Sequence, residues 1–143
     1  MDSRVVVYQL TTKLVDSEID IPQDARDIMY YTLSVGHHTG VMDCFSERLS
    51  CPVETFRSVL DNISDGKARL KLEGILRFGE IQVDKSHLAV LKPAIKSTLR
   101  ELYTRKDTNP YSAEISWLSG FLELLDATER ETAMYLMGRR VDA

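Results

Sequence analysis

Leu88, Leu91, Ile95, Leu99 and Leu102 recur at steps of three and four residues. That is the repeat of one helix face, and a strand cannot bury it as a set. Ile115, Leu118, Leu122, Leu125, Ala133 and Leu136 continue the same spacing in a longer final element, with Glu129 as its break. Asn109-Pro110 between the two stripes is a turn signal. Pro93 either kinks the first helix or marks its true start. Leu88, Leu91, Ile95, Leu99, Leu118, Leu122 and Leu125 are therefore the expected core.

The other elements are shorter. Val5–Leu10 is β-branched and aromatic and reads as a strand, as does Glu80–Val83 after Gly79. Two strands alone are marginal, so they belong to one small sheet packed on helices. Pro52–Leu60 reads as a helix with Val53, Phe56, Val59 and Leu60 inward, and Ala68–Gly74 as a shorter helical piece. With no repeat or linker in its 143 residues, the chain is expected to be one α+β domain. Helix dominates it, with a small sheet of few strands.

Composition removes some functions. A net charge of −4 argues against a general nucleic-acid or anionic-membrane binder. The start Met1-Asp2-Ser3-Arg4-Val5 lacks the apolar core of a signal peptide, and no stretch is apolar enough to span a bilayer. A cytoplasmic protein with Cys44 and Cys51 as reduced thiols is expected. No C-x-x-C occurs, so a zinc framework is not expected.

Chemistry-bearing residues gather in one block, Tyr30-Tyr31-Thr32-Leu33-Ser34-Val35-Gly36-His37-His38-Thr39-Gly40-Val41-Met42-Asp43-Cys44. Ala25, Ile28, Met29, Thr32 and Val35 fall near a helical repeat after Pro22, Asp24 and Asp27, residues that favour a first turn. On a helix, His37 and Cys44 would share a stripe but lie about 10 Å apart along the axis. That is too far for one metal, whose donors sit roughly 2.0–2.3 Å away. Val41 and Met42 occupy the positions four residues after His37 and His38, where a helical metal pair would need ligands. No metal site, cofactor or catalytic set is assigned. Gly36 and Gly40 instead read as a close-packing face of a helix, flanked by the histidines. Tyr30 and Tyr31 would lie on different faces, leaving one as an aromatic anchor for a partner.

Five further residues have structural readings, and Cys51 has a chemical one as well. Cys51, just before Pro52, would place its sulfur at a helix N-terminus, where thiolates are stabilised; a small group near a cap is the commoner case. His87 beside Ser86 reads as a capping-region residue. Gly79 reads as a backbone turn. Arg139-Arg140 would complement the dipole of the last helix.

The block from Tyr30 to Cys44, followed by Cys51-Pro52, resembles the HycH/HyfJ family of formate hydrogenlyase maturation proteins. Val5–Leu10, Glu73-Gly74 with Gly79–Asp84, and Ala133–Met137 with Arg139-Arg140 agree with it, so the resemblance runs from end to end; Tyr103–Ile115 stands outside it. It implies an accessory protein, not an enzyme, in assembly of a membrane-associated [NiFe]-hydrogenase. The implied partners are the precursor of the hydrogenase large subunit and other maturation factors; a homo-oligomer is compatible with the sequence. The proteolytic trimming of that subunit belongs to a different family. Tyr30, Tyr31, Gly36, His37, His38, Gly40, Asp43 and Cys44 form the expected partner-binding surface. The alternative is a nickel- or iron-handling factor using His37, His38, Asp43 and Cys44. A cysteine-dependent enzyme is the third class.

Overall fold

A computed structural model describes residues 3–15, 28–33, 40–131 and 134–142, with side chains at 3–10, 45–131 and 134–142. The fold is α+β. The elements run β1 (Arg4–Val15), β2 (Ile28–Leu33), β3 (Gly40–Pro52), α1 (Val53–Asn62), α2 (Gly66–Phe78), β4 (Glu80–Val83), α3 (Leu88–Tyr103), α4 (Ser112–Arg130) and β5 (Met134–Val141). The strands form one five-stranded sheet in the order β2-β3-β1-β5-β4. Every pairing is antiparallel.

The expected strands at Val5–Leu10 and Glu80–Val83 do share this sheet, separated by β5. Two readings are corrected. Ile28–Leu33 and Gly40–Pro52 are strands, so the block around Tyr30 to Cys44 is not one helix. The final helix stops at Arg130, and Leu136 lies on β5. Met134, Leu136 and Gly138 are buried while the residues between them are less so, the two-residue alternation of a strand.

Local chemistry sets the ends. Pro52 is extended (φ −60°, ψ 152°) and turns β3 directly into α1. Asp65 caps α2 by accepting from Lys67 N and Ala68 N, both at 3.0 Å. α2 therefore begins earlier than its apolar pattern suggests and runs to Phe78. Gly79 closes it at φ 86°, the left-handed region that glycine enters without a Cβ penalty. His87 is a capping residue as expected: its Nδ1 accepts from Asp84 N at 3.0 Å, while Asp84 Oδ1 accepts from Ser86 N at 2.9 Å. The Ser86 hydroxyl, which also donates to Asp84 Oδ1, leads in holding the Asp84 carboxyl below its ordinary value, followed by the Ser86 N–H. α3 begins at Leu88, so Pro93 lies within it.

The C-terminus of α4 is stabilised by Lys85. Its Nζ donates to the carbonyls of Thr128 (3.0 Å), Glu129 (3.2 Å) and Glu131 (2.7 Å). Arg139 and Arg140, expected in that role, are on β5 and pair with Glu80 and Asp142.

The core joins buried residues of all four helices to one face of the sheet through Val5, Val7, Cys51, Val83 and Leu136. Of the expected core leucines and isoleucine, all are buried except Leu122, which is half-buried against the same cluster. Val6 and Leu10, which alternate with Val5 and Val7 along β1, are also buried.

Candidate partner-binding edge

β1 pairs with β5 only over Arg4–Thr11, whereas it pairs with β3 along its whole length. The ends Thr12–Val15 and Gly40–Asp43 therefore pair with each other, and β3 carries β2 on its other side. Among the described residues β2 is an edge strand of the sheet. Its residues reach the candidate block through the ladder: Tyr30 stands opposite Asp43, Tyr31 opposite Met42, Met29 opposite Cys44 and Leu33 opposite Gly40. On the inner side, Asp43 pairs with Thr12 and Cys44 with Thr11.

The block is thus assembled across strands. Tyr30, Tyr31, Gly40, Asp43 and Cys44 are brought into one corner of the sheet by backbone register. Gly36, His37 and His38 lie outside the described residues. The helical close-packing face proposed for Gly36 and Gly40 is overturned, because Gly40 opens β3. With no helix through the block, His37 and Cys44 do not share a helical stripe about 10 Å long. Among the described residues no group of three His, Cys, Asp or Glu side chains is placed to hold a metal.

An edge strand exposes a row of backbone donors and acceptors, which a partner chain can pair with by adding a strand. This end of β3 is the one away from α1, which continues from Pro52.

Cys51 has the opposite character from a thiolate at a helix start. It lies on β3, 5 % exposed and free, inside the core. Burial pushes its thiol up to about 11 from an ordinary 9.0, against a smaller downward pull from Arg4. The neutral thiol is the stable form, and nucleophilic chemistry needs the other one. The sign follows by linkage. A thiol whose folded pKa is raised contributes stability below the unfolded value, and that contribution fades as pH rises from about 9 through about 11. Urea unfolding followed across that range should show a loss of stability that is smaller in Cys51→Ala. An identical alkaline profile in the variant would remove Cys51 as its source.

Trp117 was not singled out by its spacing, yet it joins two helices. Its ring stacks on Phe121 at 4.9 Å and meets Phe56 edge-on at 5.3 Å. The signal was available in the four-residue step from Trp117 to Phe121. No helix among the described residues is long and apolar enough to cross a membrane.

Comparison with known proteins gives this edge a context. The family model described as formate hydrogenlyase maturation protein HycH matches residues 4–140. A formate hydrogenlyase maturation protein HycH from Escherichia coli (strain K12) is 32% identical over 142 residues, covering 99% of this chain and 98% of that protein. Hydrogenase-4 component J from the same strain is 34% identical over 137 residues, covering 96% and 94%. No solved structure matches. A match over nearly the whole chain, at this identity and to both relatives, places the chain in the HycH family of formate hydrogenlyase maturation proteins.

Proposed function

We propose that this protein is a non-catalytic accessory factor for maturation of a [NiFe]-hydrogenase large subunit in a formate hydrogenlyase complex. It acts in the cytoplasm, as a single domain, by binding the large-subunit precursor. The observation that carries the reading is the convergence of family and fold: the described parts of the block that marks the resemblance lie on β2, an edge strand among the described residues, and on its neighbour β3. The contact surface is the β2–β3 corner with Tyr30, Tyr31 and Asp43. Tyrosine supplies large contact area at low conformational cost, and a carboxylate fixes orientation. The buried, protonated Cys51 supports an adaptor over a thiol enzyme.

The experiment is a set of Tyr30→Ala, Tyr31→Ala and Asp43→Ala variants, first matched for thermal unfolding. Each is assayed for capture of the large-subunit precursor and for appearance of its processed form in cells. At least one tyrosine variant is expected to lose about tenfold in affinity, the scale of a single anchor residue. Stable variants with full capture and full processing would rule this surface out. Lost processing with intact capture would reopen the enzyme reading.

A further inference from the structure

Arginines outnumber carboxylates in a groove between α1 and α2, beside the end of β5. The groove, of about 470 Å3, is lined by Arg57, Asp61, Arg69, Glu73, Arg77 and Arg140, with Leu60 and Leu76 as its apolar floor. Its form follows from helix periodicity. Arg57 and Asp61 are four residues apart on α1, and Arg69, Glu73 and Arg77 are four apart on α2, so two charged rows face each other.

Ion pairing within the groove is incomplete. Arg69 pairs with Asp61 at 3.4 Å, and Arg140 with Asp142 at 3.2 Å. Among the described residues Arg57 has no ion pair or hydrogen bond, and Arg77 has only the ring of Phe78, 5.6 Å from its guanidinium carbon. Phe78 itself is 76 % exposed. In a chain of net charge −4, two free guanidinium groups beside an exposed phenyl ring and a leucine floor are a local inversion.

We propose that this groove binds an acidic peptide segment of a protein partner, with carboxylates on Arg57 and Arg77 and an apolar side chain over Leu60 and Leu76. The spacing favours a chain over a single anion. Along α2 the groove runs from Arg69 to Arg77, about 12 Å along the helix axis, so one phosphate or carboxylate at the unpaired arginines fills only part of it. An extended peptide covers that distance in about four residues. Glu73 and Asp61 stand between the arginines and would repel a continuous row of phosphates, so a peptide with intermittent charge fits better than a nucleic acid. Arginine forks suit carboxylates by bidentate pairing. α2 packs on β4 and β5, at the opposite edge of the sheet from β2. The groove is therefore separate from the β2–β3 corner, and loss of binding at one leaves the other standing.

The test uses a fluorescein-labelled peptide of alternating Glu and Leu, its Gln-for-Glu counterpart, and a thymidine oligonucleotide, followed by anisotropy. The Glu peptide should bind and weaken with added salt, the mark of exposed charge pairing. The R57Q/R77Q double variant should bind it about tenfold or more weakly, with unchanged unfolding. Glu73→Gln, which removes a repelling charge, should bind it more tightly. A wild-type protein that ignores the Glu peptide, binds the Gln peptide equally or prefers the oligonucleotide would overturn the proposal. So would wild-type affinity in R57Q/R77Q.

Discussion

Replacing Trp117 with alanine is expected to lower the unfolding free energy by about 3–5 kcal/mol. Trp117 is 2 % exposed and ties α4 to α1 through Phe56, itself fully buried. Removing the ring leaves a cavity between two helices that also cover the sheet. A second variant separates ring packing from polarity. Trp117 Nε1 is buried with no hydrogen-bond partner among the described residues, and an unmet buried donor costs about 1–3 kcal/mol. Trp117→Phe keeps most of the stacking area and removes that donor, so it should stay within about 1.5 kcal/mol of the parent. Trp117 is the only tryptophan, so urea unfolding should be followed by far-ultraviolet circular dichroism. A cost below about 1 kcal/mol for Trp117→Ala would mean that the aromatic stack contributes little beyond its neighbours.

The helices were legible where apolar spacing met clear ends. Leu88 to Leu102 specified α3, and Val53, Phe56, Val59 and Leu60 specified the inner face of α1. The errors came where two periods overlap in a short apolar run. Ile28, Met29 and Thr32 fit a helical repeat, but Ile28-Met29-Tyr30-Tyr31-Thr32-Leu33 is also rich in aromatic and β-branched residues, and the sheet ladder decided in favour of β2. Leu136 fitted the α4 stripe by number alone, while the alternation of Met134, Leu136 and Gly138 carried the strand signal. The sheet order was not legible at all. β1 pairs with β5 from Arg4↔Val141 to Thr11↔Met134, across nearly the whole chain, and local patterns contain no information about such partners.

The candidate block was found as a composition and misread as a geometry. Its described residues stand across a ladder, with Tyr30 opposite Asp43 rather than a few turns along one helix. Register was the missing quantity, because a pairing sets which residues are neighbours and a single sequence does not state the pairing. The arginine groove went unseen for a related reason. Its rows have helical spacing, but only the packing of α1 beside α2 turns two ordinary solvated faces into one lined groove.

Gly138→Val is expected to destabilise the protein by about 3 kcal/mol, at the upper end of overpacking costs. Gly138 lies on β5, opposite Val7 on β1 and Ile81 on β4. A Cβ at this position would stand 2.6 Å from Ile75 Cδ1 and 3.1 Å from Ile75 Cγ1. Ile75 comes from α2 and is 1 % exposed, so its side chain has no solvent to swing into. The added atoms must therefore lift α2 from the sheet or force Ile75 off its rotamer. The mechanism is checked by a double-mutant cycle with Gly138→Ala and Ile75→Val, the second of which deletes the nearest atom. Ile75→Val alone should cost about 0.5–1.5 kcal/mol. If the clash is the cause, the pair together should cost about 1 kcal/mol less than the two single effects added. Strict additivity would assign the glycine to backbone geometry instead. The same contact seats α2, which carries Arg69 and Arg77, on the strand that carries Arg140. A variant that displaces α2 should therefore weaken acidic-peptide binding as well as stability, and relief through Ile75→Val should recover both together.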